Sequence, residues 1–402
     1  MPQRKTPEER PILVAGGGLG GLAAALALGR SGWRVRVLEE ASQFGAIGYG
    51  IQLGPNVFPM FRRLGIGEAV LQQASVPPAL VMLDALDGSE VARIPTGESL
   101  RRRFKHPYII IHRIDLHEVL LAACRALGNV TLVPSAGVVG FEDDGERVHV
   151  RTKDGRSEVG VALIGADGLG SRIRAQLYNE GPPRFVGYVA HRTIVPMARA
   201  PDGVLREEVV LWGGPGYHIV HYPLRHGSLL NIVAVFRTST YAERGDVQGH
   251  RAELARTYQD AQPAMRALLA LMDLERRWAI SDRDPIRHWH KGRAVLLGDA
   301  AHPTLQSLAQ GACMAIEDAV CLAELINSRD DFEQAFREYA AARLVRTARV
   351  QLESRSLWEF YHAAGIARDV RKLTVSDWNE AHVFDCLAWL YDGITLSAKH
   401  QA

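Results

Sequence analysis

The sequence predicts an α/β fold: a parallel sheet flanked by helices, interrupted by an inserted antiparallel sheet and followed by a helical C-terminal region. Three observations carry that prediction. A strand, a glycine-rich turn, a helix and a second strand follow one another within residues 12–39. From about Pro183 to Ser281 the chain turns to short runs that alternate apolar and polar residues. From Asp330 onward most of the sequence has helical character.

Taken in order, Ile12-Leu13-Val14-Ala15 is a short apolar run ending in glycines, the pattern of a buried first strand. Leu19–Arg30 is rich in Ala and Leu, with Leu22, Ala25, Leu26 and Gly29 on one helical face, and Gly32 stops it. Val35, Val37 and Leu38 then form a second strand that ends at Glu39. This βαβ start is Rossmann-like. A helix is expected near Asp115–Leu127, strands at Val130–Val133 and Val148–Val150 with a turn at Asp143-Asp144-Gly145, and one apolar run at Val159–Gly165. Glu208–Trp212, Tyr217–Tyr222 and Leu229–Arg237 read as antiparallel strands. Ala294–Leu297 returns to a buried strand, followed by a helix from about Ala309. The expected partition is a discontinuous dinucleotide domain at 1–182 and 282–330, a sheet domain for substrate at 183–281, and a helical region at 331–402. The aromatics of that last region, among them Trp358, Tyr361, Trp378 and Trp389, suit a core or an interface, and a homodimer is one way to use them.

Composition removes several function classes. The chain has 402 residues, room for more than one domain, and its 47 basic and 45 acidic side chains leave a net charge of +2, so no electrostatic footprint for nucleic acid exists. Arg101-Arg102-Arg103 is the one dense basic run and reads as a solvated segment. Cys124, Cys313, Cys321 and Cys386 are scattered without zinc spacing, and His218, His221 and His226 lack a completing thiolate or carboxylate, so no metal is expected. The leader Met1–Glu9 is polar and expected to fray. No apolar run reaches the roughly 20 residues of a membrane-crossing helix, and a cytoplasmic setting is expected.

Gly16, Gly18 and Gly21 spell G-x-G-x-x-G between strand and helix. The first permits the tight turn, the second lets backbone approach a pyrophosphate, and the third lets helix and strand pack closely. The helix N-terminus offers free N–H groups to phosphates. Glu39 stands about the 20-residue distance at which an acid meets a ribose, and its charge disfavours a 2′-phosphate. FAD and NAD both remain open on this motif.

Two further segments choose between them. Gly165-Ala166-Asp167-Gly168-Leu169-Gly170-Ser171-Arg172 and Gly298-Asp299-Ala300-Ala301-His302-Pro303 resemble, in order, the second and third flavin motifs of the single-component FAD-dependent aromatic hydroxylases, and the resemblance covers the chain to about residue 350. It implies bound FAD, with Asp167 and Asp299 at the flavin, Asp299 on the ribityl chain, and Gly311 close by. Arg113 matches the family's flavin-contacting arginine; without that role it would pair with Asp115. Gly48–Asn56 resembles the segment that passes the mobile flavin. The family's NADH visits transiently without a domain of its own, and O2 is captured as a flavin C4a-hydroperoxide that an electron-rich ring attacks.

The third motif continues Thr304-Leu305-Gln306-Ser307-Leu308-Ala309-Gln310-Gly311, with Gln306 for the usual proline and Ala309 for a usual glycine. That departure resembles the branch of the family that hydroxylates 3-hydroxybenzoate para to its phenol, giving gentisate. A neutral phenol has a pKa of about 10, so a base is wanted. In the strand around Tyr217–Tyr222, period-2 alternation puts His218, Val220 and Tyr222 on one face. The resemblance selects that face and makes His218 the base, with Tyr222 and Val220 beside it. His218 and Tyr222 are then about 13 Å apart along the strand. Gln306 is expected to bond the phenol oxygen, Tyr108 to line the pocket, and no residue stands out as anchor for the carboxylate. Salicylate or a hydroxypyridine carboxylate is the nearest other substrate; an NAD-dependent dehydrogenase or a non-catalytic flavin-binding module would have no use for the extra motifs or for His218 and Gln306.

Overall fold

Ile12–Ala15 is buried at every position and sits inside a six-stranded sheet. The computed structural model describes residues 10–45, 48–238, 241 and 246–394; Met1–Glu9 lies outside them. Val35–Leu38 and Ala162–Gly165 flank the first strand in parallel, and Val130–Val133 and Ala294–Leu296 extend the sheet in parallel on either side. Strands covered on both faces need apolar side chains at successive positions, which is why they read as continuous runs. Helix Leu19–Arg30 packs against helices Arg113–Arg125 and Gly311–Ser328, so its small residues are buried around most of its circumference.

The run Val159–Gly165 is two strands. Ser157–Gly160 pairs antiparallel with Val148–Thr152, which pairs in turn with Val138–Asp143, while Ala162–Gly165 enters the parallel sheet. The break falls where the chain squeezes past its own start: a Cβ on Gly160 would stand 2.6 Å from the Pro11 carbonyl oxygen. Both strands are apolar, so hydrophobicity alone does not show the joint.

The second sheet has seven strands, in the order Trp278–Asp282, Arg184–Pro196, Leu229–Arg237, Tyr217–Leu224, Val209–Gly214, Ala79–Asp84 and Glu90–Pro95. Its last two strands come from residues 79–95, within the segment ahead of Pro183. Ala79–Asp84 runs parallel to Val209–Gly214 and covers what would otherwise be an open apolar edge. One face of this sheet is covered by helices Val247–Thr257 and Pro263–Leu269, with Tyr258, Met265 and Leu268 against Tyr217 and Ile219. The alternating pattern of 183–281 gives no hint of these two helices. The opposite face carries Ala190, Val233 and Val235 and meets Trp358 of the long helix Phe332–Tyr361.

Helix Gly311–Ser328 is buried along most of its length and holds two adjacent carboxylates, Glu317 and Asp318, both fully enclosed. Arg343 of helix Phe332–Tyr361 reaches both, with its Nη1 2.7 Å from Glu317 and its Nε 2.6 Å from Asp318. Removing one member of such a group strands the others without compensation. Arg343→Met should therefore lower unfolding stability by about 3–5 kcal/mol. Urea denaturation of the wild type and the variant measures it; an unchanged midpoint would show that the carboxylates are neutralised some other way.

Candidate active site

The glycine turn after the first strand is shaped by backbone crowding on one side and open space on the other. Gly16 has φ +103°, and a Cβ there would lie 2.4 Å from the Ala166 carbonyl oxygen. A Cβ on Gly21 would lie 2.0 Å from the Gly16 oxygen, whereas a Cβ on Gly18 would meet nothing within 4 Å. The turn thus leaves a free concavity at Gly18, at the N-terminus of helix Leu19–Arg30, whose first N–H groups have no side-chain cap. Glu39 closes one side: its carboxylate accepts from the Gly17 N–H at 2.6 Å and the Ala41 N–H at 2.9 Å. His117 meets the Gly17 carbonyl oxygen at 2.8 Å from below.

Asp167 and Asp299 lie on the two following turns. Asp167 caps helix Arg172–Tyr178, accepting from the Ser171 hydroxyl at 2.6 Å and the Arg172 N–H at 2.8 Å. Burial pushes its pKa up, opposed by those hydrogen bonds. Asp299 is solvent-accessible yet ringed by protein, so it lines a cleft. Burial raises its pKa, and the nearby His302 and Arg113 pull it back. Arg113 is not bound to Asp115, which is held instead by Arg225 at 2.7 Å and 3.1 Å. Its guanidinium faces Asp299 from the first turn of helix Arg113–Arg125. Gly298 takes φ +62° and Ala309 φ +53°, so the loop that leads to Gly311 uses the left-handed region twice, once without a glycine. Gly311 begins helix Gly311–Ser328 beside Asp299.

The seven-stranded sheet supplies the facing wall. Its registers place His218, Val235 and Ala190 in one row, Val220, Val233 and Arg192 in the next, and Tyr222, Asn231 and Ile194 in a third. His218, Val220 and Tyr222 share this face, and Val220 is the one position of its strand that is not fully buried. The two ring-bearing residues reach opposite ends. His218 Nδ1 is 2.8 Å from His362 Nε2, at the end of helix Phe332–Tyr361, and its ring stands edge-on to Trp358. Burial, then the neighbouring His362, keeps the His218 pKa well below the usual histidine range. Tyr222 instead lies against Gly50, whose N–H donates to Asn231 Oδ1 at 2.9 Å. Burial raises the Tyr222 pKa, opposed by Arg192 and a hydrogen bond to Gln52. Tyr108 donates to Gln52 Oε1 at 2.6 Å, so Gln52 links both tyrosines. Gln306 reaches the same wall from the loop between Asp299 and Gly311: its Oε1 accepts from Arg192 Nη2 at 2.8 Å.

The concavity at Gly18, the acid at the end of the second strand and the accessible Asp299 beside Arg113 fit a dinucleotide with a polyhydroxyl chain and a flat ring. Sequence reasoning missed Arg192, His362, Gln52 and Asn231. Arg192 left a signal, a lone arginine inside the apolar strand Tyr188–Val195. His362, just past a helix, left none. His221, on the opposite face, is buried against the Leu205 carbonyl oxygen, and His226 meets the Gln72 carbonyl oxygen.

The unequal crowding of the glycines separates binding from folding. Gly18→Ala should fold with near wild-type stability but retain markedly less flavin, whereas Gly21→Ala should lose stability with or without flavin. Flavin absorbance per protein and melting of the flavin-free forms check this; equal flavin retention by Gly18→Ala would remove the turn from the phosphate site.

Comparison with known proteins points the same way. A family model described as an FAD binding domain matches residues 9–350. The chain is 44% identical to the 3-hydroxybenzoate 6-hydroxylase of Polaromonas naphthalenivorans strain CJ2, covering 96% of each chain. It is 40% identical to the enzyme of the same name from Klebsiella oxytoca, covering 94% of this chain and 96% of the relative. Among solved structures, HpxO of Klebsiella pneumoniae, complexed with FAD and uric acid, superposes with a TM-score of 0.84 at 26% identity over 96% of this chain and 98% of that one. The chain belongs to the FAD-dependent aromatic hydroxylases and is an FAD-dependent monooxygenase.

Proposed function

We propose that this enzyme hydroxylates 3-hydroxybenzoate at the carbon para to its phenol, giving gentisate, with NADH and O2 as co-substrates. The observation that carries the reading is a sheet face that presents a buried His218, bonded to His362, together with Arg192, which holds Gln306 of the loop after Asp299 and lies near Arg113. The identity to 3-hydroxybenzoate 6-hydroxylases supports it. FAD, reduced by NADH, would activate O2, one oxygen atom of which would enter the ring while the other leaves as water; Gly16, Gly18, Gly21, Glu39, Arg113, Asp167, Asp299 and Gly311 would hold it.

The chain's own residues prepare the ring. With His362 accepting the Nδ1 proton of His218, the His218 Nε2 lone pair is free to take the phenol proton, and the charge that forms is spread over a histidine pair. Arginine only donates, so the Gln306 oxygen must be the atom facing Arg192, and its amide N–H2 is left to donate. A donor there favours phenolate over phenol, the more reactive form. Tyr222, Tyr108 and Val220 close the pocket, and the enclosure keeps water from the reacting oxygen.

Because burial depresses the His218 pKa, the group stays an acceptor as pH falls through about 6.5 and is protonated only below that. Wild-type kcat/KM should therefore hold its value down through pH 6.5. His218→Ala should keep FAD yet lose about 100-fold or more in hydroxylation at neutral pH, recovering as pH rises toward the phenol's own pKa of about 10. An unchanged pH profile would remove His218 from the reaction. Gln306→Ala should consume NADH with less product formed.

NADH oxidation with product analysis, run across 3-hydroxybenzoate, salicylate, 4-hydroxybenzoate and a hydroxynicotinate, tests the assignment itself. Gentisate from 3-hydroxybenzoate is the expected result. NADH consumption that yields only hydrogen peroxide with all four would mean another aromatic acid is the substrate.

A further inference from the structure

We propose that Arg192 is the anchor for the carboxylate of the aromatic substrate, an inference that rests on the aromatic-acid reading above. Arg192 projects from the middle of strand Arg184–Pro196 onto the same sheet face as His218 and Val220, and it shares a row with Val220 across the sheet. It is not fully buried, so part of the side chain opens on the cleft. A guanidinium has five N–H donors. Among the described residues one hydrogen bond uses them, from Nη2 to Gln306, and Nε is enclosed with no partner.

No carboxylate among the described residues forms an ion pair with Arg192. Its surroundings are the Tyr49 ring, 5.8 Å from its guanidinium carbon, Tyr222, and a second cation, Arg113. Asp299 is engaged on the Arg113 side. A guanidinium largely shut away from solvent beside another cation and without an acid is unfavourable until an anion joins it. The phosphates of FAD belong to the glycine turn, which leaves the substrate's own charge. A planar carboxylate matches the fork of an arginine. The registers put the Arg192 and His218 Cα atoms about 12 Å apart across the sheet. With both side chains leaning over Val220, that span suits a benzoate held by its acid at one end and its phenol at the other. Arg192 would fix the ring and Gln306 together, making it a specificity and positioning residue.

The test is titration of the FAD-loaded enzyme, followed by flavin absorbance, with 3-hydroxybenzoate and with the neutral isostere 3-hydroxybenzamide. The wild type should bind the acid at least about 10-fold more tightly than the amide. Arg192→Met should weaken the acid by about 10- to 100-fold and shift the amide by no more than a few-fold. Arg192→Lys, which keeps the charge and loses the fork, should fall between. A loss shared equally by acid and amide, or undiminished acid binding in Arg192→Met, would overturn the proposal. Should Arg192→Met fail to hold FAD, the wild-type preference and Arg192→Lys decide: equal wild-type affinity for acid and amide overturns it. A wild type that binds no aromatic acid brings down the functional reading and the anchor together; a wild type that binds the acid no better than Arg192→Met brings down the anchor alone.

Discussion

Two neighbouring carboxylates shut away from solvent, Glu317 and Asp318, hold together the loop that presents Asp299. Burial alone would push both toward protonation, but His302 and Arg343 keep Asp318 at about 2, and Arg343 and Arg346 keep Glu317 below its ordinary value. Charged, they act as hubs. Asp318 accepts from the Gly298 N–H and meets His302 Nε2, so the turn presenting Asp299 is fixed from behind. Glu317 accepts from Asn56, which also donates to Gln310, and from Arg346, whose other N–H groups reach the carbonyls of Trp389 and Leu390. One turn of one helix thereby sets the loop that carries Gly298 and His302, the position of Asn56, and the final helix. Apolar residues there could stabilise as well, but they could not aim backbone N–H groups.

Around that fixed frame the site is divided between two bodies. Turns at the ends of parallel strands carry Gly18, Asp167 and Asp299, while a sheet face carries His218, Arg192 and Tyr222; in the proposed reaction the first group serves FAD and the second the aromatic ring. The two meet through a few polar links: Gly50 to Asn231, Gln306 to Arg192, and Gln52 to the pair of tyrosines. Side chains on a sheet face can be exchanged without moving the backbone that supports the cofactor, which is a physical reason for one frame to serve many aromatic substrates.

Much of this was legible in the sequence. The βαβ start was, because glycine spacing, helix composition and the acid at Glu39 each depend on local geometry. The shared face of His218, Val220 and Tyr222 was, because side-chain alternation in a strand is strict. What lay out of reach depended on distant partners. Nothing near Ala79 announces that it will pair with a strand beginning at Val209. Nothing near His362 announces His218. Asp167 reads as a flavin acid, and the fold also employs it as a helix cap. Arg192 is visible as a charge in an apolar strand, but its lack of an acid partner among the described residues only emerges once the surrounding elements are in place.

The pairing of Ala79–Asp84 with Val209–Gly214 has a consequence for how the protein is made. These partners are about 130 residues apart along the chain. At a ribosomal rate of about 5–20 residues per second, the earlier hairpin waits roughly ten seconds for its neighbour to be synthesised. During that interval Val81 and Met82, buried in the finished enzyme, have no sheet to join. The newborn chain therefore carries a sticky half-built edge whose lifetime is set by translation, so slower elongation lengthens its exposure to aggregation, while a chaperone able to shield a short apolar hairpin shortens it.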